Sequence, residues 1–272
     1  MKKSIFFSIT VLFFIFTSIS FAERYEPIFG KSGSTLSQGT ARFNFSFGYN
    51  ENNSSTHSLF NFSIDYGITE KVEIQNNIGY GSYNSGDFEW SNWIELLKFK
   101  LSETFNGPAT SLGAGLYIPV SGSESLGLIL GFFYSGGIKD ITFDFNLGIT
   151  PFLTYGDIND RYQVRPSPYI NGDLVLGYKL LPILKLTGGI DMKQYLNGGA
   201  TKTKNPITGE WTKTDIPASS GWVLFLGSRV KPQGYPVVLD TSLSFGLNRD
   251  AEYDWQFKIG VQILPSGENA EW

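Results

Sequence analysis

Residues 42–49 read RFNFSFGY, and the alternation in this stretch decides the fold of the chain. Phe43, Phe45, Phe47 and Tyr49 occupy every second position, with polar residues or glycine between them. Successive side chains of a β-strand point to opposite faces, so a period of two predicts a strand with one apolar and one polar face. The segment is therefore expected to separate an apolar from a polar environment.

The same alternation returns in eleven more segments, which makes twelve predicted strands. The further segments are 60–66, 72–80, 93–101, 111–118, 126–134, 141–149, 170–179, 184–193, 222–230, 237–247 and 255–263. The segment 93–101 is irregular, because Glu95 shares the parity of the apolar Leu97 and Phe99. An extra residue in a strand shifts this parity, so we expect a β-bulge near Leu96.

Strand length and loop length separate the two architectures that use such strands. A soluble β-sandwich also alternates apolar and polar residues, but its strands usually have about 5–6 residues. A transmembrane barrel needs strands of about 9–11 residues, with aromatic residues at both membrane interfaces. Most segments here are that long, and their apolar ends carry Tyr49, Tyr66, Tyr80, Trp93, Tyr134, Tyr178, Trp222 and Trp255. Short turns also alternate with longer loops, of which 151–168 and 194–221 are the longest, as in outer-membrane barrels.

We therefore predict an all-β fold, a 12-stranded antiparallel transmembrane up-and-down β-barrel over residues 40–265. Closure removes the sheet edges that hydrocarbon could not solvate. Residues 1–22 are expected to be a signal peptide, because a basic start precedes a short apolar core and a small-residue cleavage site. Residues 23–39 then form a periplasmic lead-in and residues 266–272 a C-terminal tail. The expected location is the bacterial outer membrane.

The composition argues against several classes of function. Charged residues make up 17% of the chain and aromatic residues 16%, with no cysteine and a net charge of −4. A nucleic-acid-binding protein would favour a basic face, so we expect no nucleic-acid partner. One histidine and no cysteine predict no metal cluster, and no cofactor-binding motif is found. The expected partners are outer-membrane lipid and a small-molecule solute.

The polar face of the predicted barrel carries thirteen charged residues that we expect to line the lumen. They are Asp65, Glu73, Lys98, Lys100, Asp144, Asp173, Lys179, Lys185, Asp191, Lys193, Arg229, Asp240 and Lys258. Six are acidic and seven are basic, so the lumen favours neither anionic nor cationic cargo strongly. The sequence has no phosphate-binding loop, so the leading hypothesis is passive passage of a small solute down its gradient.

Two other functions stay open from the sequence. The barrel could be a structural or surface-interaction protein with a closed lumen, or an outer-membrane lipid hydrolase that uses His57 between two hydroxyl residues. No hydrolase motif surrounds His57, so we expect a solvated loop histidine, no catalytic residue and no enzyme activity. The loop 194–221 is hypothesised to plug the lumen partially. Its charged and aromatic residues include Lys202, Lys204, Glu210, Trp211 and Lys213.

Residues 62–80, FSIDYGITEKVEIQNNIGY, join a Tyr-Gly-Ile-Thr-Glu turn to a strand that begins Val72-Glu73-Ile74. This arrangement resembles the strand–turn–strand of a bacterial outer-membrane family known as transporters of the MetA pathway of phenol degradation. The closing segment 254–261 is similar to the end of that family. The resemblance implies a barrel for small solutes, hydrophobic or aromatic ones among them, and it brings no catalytic residue.

Overall fold

The computed structural model describes residues 34–52, 55–83, 88–103, 108–120, 125–248, 250–251 and 253–263. These ranges form sixteen strands: β1 (Ala41–Asn52), β2 (Ser55–Thr69), β3 (Val72–Tyr83), β4 (Phe88–Glu103), β5 (Ala109–Ile118), β6 (Gly127–Ile138), β7 (Ile141–Thr150), β8 (Gly156–Asn159), β9 (Tyr162–Arg165), β10 (Tyr169–Leu181), β11 (Leu184–Tyr195), β12 (Ala200–Lys204), β13 (Trp211–Asp215), β14 (Ser219–Val230), β15 (Val237–Gly246) and β16 (Trp255–Ile263). Within the described ranges, no helix is long and apolar enough to cross a membrane. The predicted signal peptide, the lead-in up to residue 33 and the predicted tail lie outside the described residues.

Twelve of the strands close into a single barrel, in the order β1-β16-β15-β14-β11-β10-β7-β6-β5-β4-β3-β2. Neighbouring strands are antiparallel, and β1 closes the barrel against β16, with Phe43 opposite Ile263 and Glu51 opposite Trp255. Closure leaves no barrel strand with an unpaired edge. The predicted fold class, a 12-stranded antiparallel barrel, is confirmed.

The two ends of the barrel differ in the length of their connections. Residues 70–71, 139–140 and 182–183 join strands at what we call the turn end, where β1 also begins. The opposite end, here called the loop end, carries the connections 151–168 and 196–218. This segregation of short and long connections is typical of outer-membrane barrels.

Large apolar side chains cover the outer surface of the barrel. Leu130 of β6 and Leu226 of β14, for example, are 52% and 59% exposed. Aromatic residues edge this apolar belt: Tyr66, Tyr134 and Tyr178 towards the turn end, and Tyr49, Tyr80, Trp93, Trp222 and Trp255 towards the loop end. Such a belt with aromatic edges suits a surface that faces lipid hydrocarbon and its two interfaces.

Strand β4 contains two β-bulges, and neither lies at Leu96. One extra residue stands within 90–93 opposite β3, and another stands at Leu101 opposite β5. Between these bulges the alternation is regular, so Glu95 faces outward beside Leu97. The predicted bulge near Leu96 is therefore wrong, because the parity of Glu95 reflects its real position on the outer face.

The two longest loops form a second, four-stranded sheet in the order β13-β12-β9-β8. Strand β12 pairs with both β9 and β13, so the two loops are joined through it. The ammonium group of Lys202 lies 3.9 Å from the centre of the Tyr155 ring. The sequence predicts both segments to be loops, because strands of four or five residues are too short to show a clear period of two.

Candidate functional site

The interior face of the barrel is the candidate site, and the thirteen predicted residues occupy it in two groups. Eight are buried: Asp65, Glu73, Lys98, Asp173, Lys185, Asp191, Lys193 and Lys258. The others are half-buried and lie in the turn-end half of the barrel: Lys100, Asp144, Lys179, Arg229 and Asp240. The structure brings several of these residues into contact with one another, whereas Lys100 pairs with Glu103 near the turn end at 2.6 Å.

Residues 34–40, here called the strap, run along the interior face of the barrel at the turn end. The side chain of Leu36 is only 4% exposed, and its backbone N–H donates to the Glu73 carboxylate at 2.8 Å. The ammonium group of Lys98 donates to the backbone oxygen of Ser34. Glu73 and Lys98 are themselves buried on the wall, so oppositely charged side chains hold the strap inside the barrel.

Two glycines allow the strap to lie this close to the wall. Gly39 has a φ of +77°, in the left-handed region that side chains rarely adopt. The backbone N–H of Gly39 donates to the Gly67 oxygen at 2.8 Å, and the N–H of Gly67 donates to the Thr40 oxygen at 3.0 Å. A Cβ atom on Gly67 would overlap the backbone oxygen of Ser37 and would lie 2.8 Å from that of Leu36. The strap therefore requires a residue without a side chain at position 67.

A network of polar side chains lies beside the strap on β1 and β2. The guanidinium group of Arg42 donates two hydrogen bonds to Asp65, at 2.9 and 2.7 Å. Asn44 donates to Asp65 at 3.3 Å and accepts a hydrogen bond from Gln262 at 2.9 Å. Arg42 is not among the thirteen predicted lumen residues, although it occupies the polar parity of the first predicted strand.

A second charged pair lies farther around the wall at the turn end. Arg229 donates to Asp240 at 2.6 and 3.1 Å in a two-point contact. On β6 and β7, which β10 and β11 separate from this pair, the hydroxyl of Ser135 donates to Asp144 at 2.5 Å. These contacts satisfy charged groups within the wall, so the near balance of signs in the sequence corresponds to specific pairs.

Two carboxylates face each other midway along the interior. Asp173 of β10 lies directly opposite Asp191 of β11, and both side chains are buried. Asn146, on the next strand, donates from its side-chain nitrogen to Asp173 at 2.8 Å. Opposed carboxylates destabilise a strand pair. This row therefore places two buried carboxyl groups at one level of the wall.

The interior towards the loop end carries a buried apolar cluster, here called the apolar shelf. Its members are Ile94, Leu96, Tyr117, Ile129, Phe133, Phe152 and Tyr169. The rings form a chain in which centroid distances are 5.5 Å for Tyr117–Phe152 and 6.1 Å for Phe152–Tyr169. Tyr195 continues it at 6.0 Å from Tyr169. The interior is thus polar at the turn end, and towards the loop end it combines the apolar shelf with buried polar residues such as Asn50, Lys193 and Gln256.

Two lysines lie at the margin of the apolar shelf. The Lys98 ammonium is 5.6 Å from the centre of the Phe133 ring, and the Lys193 ammonium is 4.5 Å from that of Tyr169. Lys98 therefore contacts both the strap and the shelf. The shelf differs from the sequence prediction, which gives this face to polar residues. The available signal was the stretch 127–134, GLILGFFY, which is apolar on both parities and so indicates burial on both faces.

His57 lies within strand β2, opposite Tyr83, rather than on a loop. Its predicted loop position is wrong, because pairing extends β2 to Ser55. In the described part of the chain, no three histidine, cysteine, aspartate or glutamate side chains converge in a way that could hold a metal ion.

The hypothesis that the loop 194–221 plugs the lumen is not supported by the structure. Strand β13 is exposed along its whole length, and the hairpin tip 205–210 that precedes it is exposed too. The loop builds an outer sheet because its strands pair with one another and with β9. A shorter connection, 247–254, contributes Ala251 and Tyr253 to a buried contact with Val223 at the loop end.

No protein-family model and no curated protein match this sequence. Among solved structures, the chain is similar to the COG4313 outer membrane channel from Pseudomonas putida F1, with a TM-score of 0.64. Their sequence identity is 11%, and the match covers 88% of this chain and 99% of that one. A second match is a structure described as "Unveiling the Mechanism Behind the in-meso Crystallization of Membrane Proteins", with a TM-score of 0.51 and 12% sequence identity. This match covers 84% of this chain and 86% of that chain. The shared feature is the fold, which is that of outer-membrane β-barrels.

Proposed function

We propose that the protein is a bacterial outer-membrane channel through which a small solute with an apolar or aromatic body passes passively. The apolar belt is embedded in lipid, the turn end faces the periplasm and the loop end faces the outside, as in barrels with an even strand number. The strap is the element that narrows the periplasmic end. The proposal assigns no catalytic role to any residue.

The observation that carries this proposal is the division of the interior into a charged region and the apolar shelf. A wall that served only ions and water would be polar throughout, whereas binding sites for small molecules are mostly apolar with a few polar groups. The shelf provides the apolar part. Lys98 and Lys193 provide ammonium groups at its margin, 5.6 Å from Phe133 and 4.5 Å from Tyr169.

The size of the barrel supports a pathway that the strap controls. Barrels of about eight strands are filled by their own side chains, and those of about 16–18 strands enclose an open aqueous channel. A barrel of twelve strands lies between these limits, so a single extended segment is enough to obstruct it. Leu36 and its hydrogen bond to Glu73 place such a segment at the turn end.

Two similarities favour this function over the alternatives. The sequence resembles the MetA-pathway family around residues 62–80, which implies transport of hydrophobic or aromatic solutes. The fold is similar to the COG4313 outer membrane channel. We infer that the chain belongs with such transporters and acts without an energy source of its own.

Removal of the strap tests the proposal. The variant that lacks residues 34–39 is incorporated into liposomes, and swelling is recorded with benzoate, benzyl alcohol and glucose. The matched control lacks residues 205–210, the same number of residues, from the exposed hairpin tip between β12 and β13. We expect faster swelling for the strap deletion and no change for the control.

The choice of solutes tests the apolar shelf separately. In the strap deletion, benzoate and benzyl alcohol should enter faster than glucose, because only they have an aromatic ring that can contact the shelf. Equal swelling rates for the deletion and the wild type, with both proteins folded, would exclude a channel closed by the strap. Such a result would favour a structural barrel.

A further inference from the structure

A row of oxygen-bearing side chains crosses the interior wall at the level of the two facing carboxylates. Asn146 of β7, Asp173 of β10 and Asp191 of β11 are successive register partners, so their side chains stand next to one another on the interior face. They are 0%, 2% and 6% exposed. Asn171, two residues from Asp173 towards the loop end, shares this face and is 1% exposed. Three adjacent strands therefore bury four such side chains together.

The oxygen atoms of this row lack hydrogen-bond donors. The side-chain nitrogen of Asn146 donates to one oxygen of the Asp173 carboxylate at 2.8 Å. Among the described residues, the other Asp173 oxygen and the side-chain oxygens of Asn146 and Asn171 have no hydrogen-bond partner. Because the Asn146 nitrogen contacts Asp173, the oxygen of the same amide group also lies close to that carboxylate. Buried acceptors without a donor are costly and rare, so these atoms call for a positively charged partner.

Lys193 is the charged neighbour of the row on its loop-end side. The Lys193 ammonium is 4.5 Å from the centre of the Tyr169 ring and 5.3 Å from that of Tyr195. These two tyrosines are register partners, and each lies two residues farther towards the loop end than Asn171 or Lys193. The ammonium group is therefore directed towards the aromatic rings, and its charge is placed on the loop-end side of the row.

A calcium ion would supply the partner that these oxygens lack. Ca²⁺ takes about six to eight oxygen ligands from carboxylates, amide carbonyl groups and water. It requires neither histidine nor cysteine, so the composition that argues against a transition-metal cluster does not bear on it. Two of the four side chains are amides, so the row differs from the clusters of three acidic, histidine or cysteine residues that the described ranges lack. A bound cation would also replace the repulsion between the facing carboxylates by attraction to a shared charge.

We propose that Asn146, Asn171, Asp173 and Asp191 form a calcium-binding site on the interior wall. The two aspartates supply carboxylate oxygens, the two asparagines supply carbonyl oxygens, and water in the interior completes the coordination. Register partners on adjacent strands lie about 5 Å apart, so rotation of the side chains is enough to bring these oxygens to one ion. The ion ties β7, β10 and β11 together on the turn-end side of Tyr169. The site concerns ion binding alone and is independent of the solute that the channel carries.

Calorimetric titration of the folded barrel with calcium chloride tests the site. The protein is washed with EDTA in detergent micelles free of lipopolysaccharide, which would bind calcium itself. We expect one ion per barrel with a Kd of about 10⁻⁴ M, in the range of calcium sites that work outside cells. Magnesium chloride should bind about tenfold more weakly, because Mg²⁺ demands octahedral geometry and gives up water reluctantly. The absence of calcium binding, or equal binding of the two ions, would overturn the proposal.

Three substitutions assign the ligands, with folding of each variant checked by heat-modifiable gel mobility. Asp173→Asn should weaken calcium binding about a hundredfold, since affinity follows the charge of the ligands. The control Asp240→Asn removes another interior carboxylate, one that accepts from Arg229, and should bind calcium like the wild type. Asn171→Leu removes an amide oxygen without any change of charge, so its expected loss of about tenfold cannot come from weaker general attraction. Equal losses for Asp173→Asn and Asp240→Asn, or none for Asn171→Leu, would refute the assignment.

The response of unfolding to calcium provides an independent measurement. Calcium should raise the urea midpoint of the wild type, because the ion binds the folded state. Asp173→Asn should not respond to calcium, although in EDTA it should be the more stable protein, since the repulsion from Asp191 is relieved. An equal calcium response of the wild type and Asp173→Asn would contradict the site. Asn171→Leu keeps both carboxylates and provides the same comparison if Asp173→Asn does not fold.

Discussion

A single methyl group at Gly67 should release the strap without the removal of any functional group. The Cβ atom of Gly67→Ala would overlap the backbone oxygen of Ser37 and lie 2.8 Å from that of Leu36. Backbone atoms cannot rotate away as a flexible side chain can, and β2 is held on both sides by its barrel neighbours. The strap is therefore the part that must move.

The size of the effect follows from what the strap loses. Leu36 gives up its hydrogen bond to the Glu73 carboxylate, which contributes about 2 kcal/mol. Exposure of its buried side chain costs about 2 kcal/mol more. Together these losses amount to about 4 kcal/mol, or about three orders of magnitude in the ratio of bound to released strap.

Single-channel recording in planar bilayers measures this shift directly. Gly67→Ala should spend most of its time in a conducting state that the wild type visits rarely. Gly172→Ala is the matched control, because a Cβ atom there meets nothing closer than the Asn146 oxygen at 3.6 Å. If Gly67→Ala and Gly172→Ala conduct alike, the strap does not control the pathway, and the assignment of Glu73 and Lys98 as its anchors fails with it.

Two further substitutions examine the interior wall. Asp173→Asn should raise the free energy of unfolding by about 1 kcal/mol, because it relieves the repulsion from Asp191 and keeps the oxygen that accepts a hydrogen bond from Asn146. A lower urea midpoint of unfolding in detergent micelles would contradict this expectation. Phe133→Ala should lower the free energy of unfolding by about 3 kcal/mol, because it leaves a cavity in the apolar shelf. The same change at Phe145, which is 39% exposed on the outer face, should cost much less, and equal losses would show that the shelf is not packed.

The barrel itself could be predicted from the order of residues because its alternation is local. Phe43 and Asn44 must point to opposite sides of a strand whatever the rest of the chain does. Short connections make consecutive strands pair, and in lipid every backbone amide needs a hydrogen-bond partner. A closed sheet of the twelve strands meets this requirement. The charged residues of the polar face follow from the same parity, which is why the sequence predicts Glu73 and Lys98 to face the interior.

The strap and the apolar shelf could not be predicted in this way. Ser34 and Leu36 belong to a stretch without a period, and their contacts with Lys98 and Glu73 join residues more than thirty positions apart. No pattern within a segment reports such a contact. The short strands β12 and β13 could not be predicted for a related reason, since β12 is regular only through its pairing with β9, and β13 only through its pairing with β12.

The sequence by itself therefore determined which side chains face lipid and which face the interior, because that choice is made residue by residue along each strand. Only the tertiary structure decided which interior groups meet. The closed barrel assembles Tyr117 of β5, Phe152 of the connection 151–168 and Tyr169 of β10, and it admits the strap. Those contacts depend on the stagger of strands around the barrel, and stagger is a property of the closed sheet rather than of any one segment.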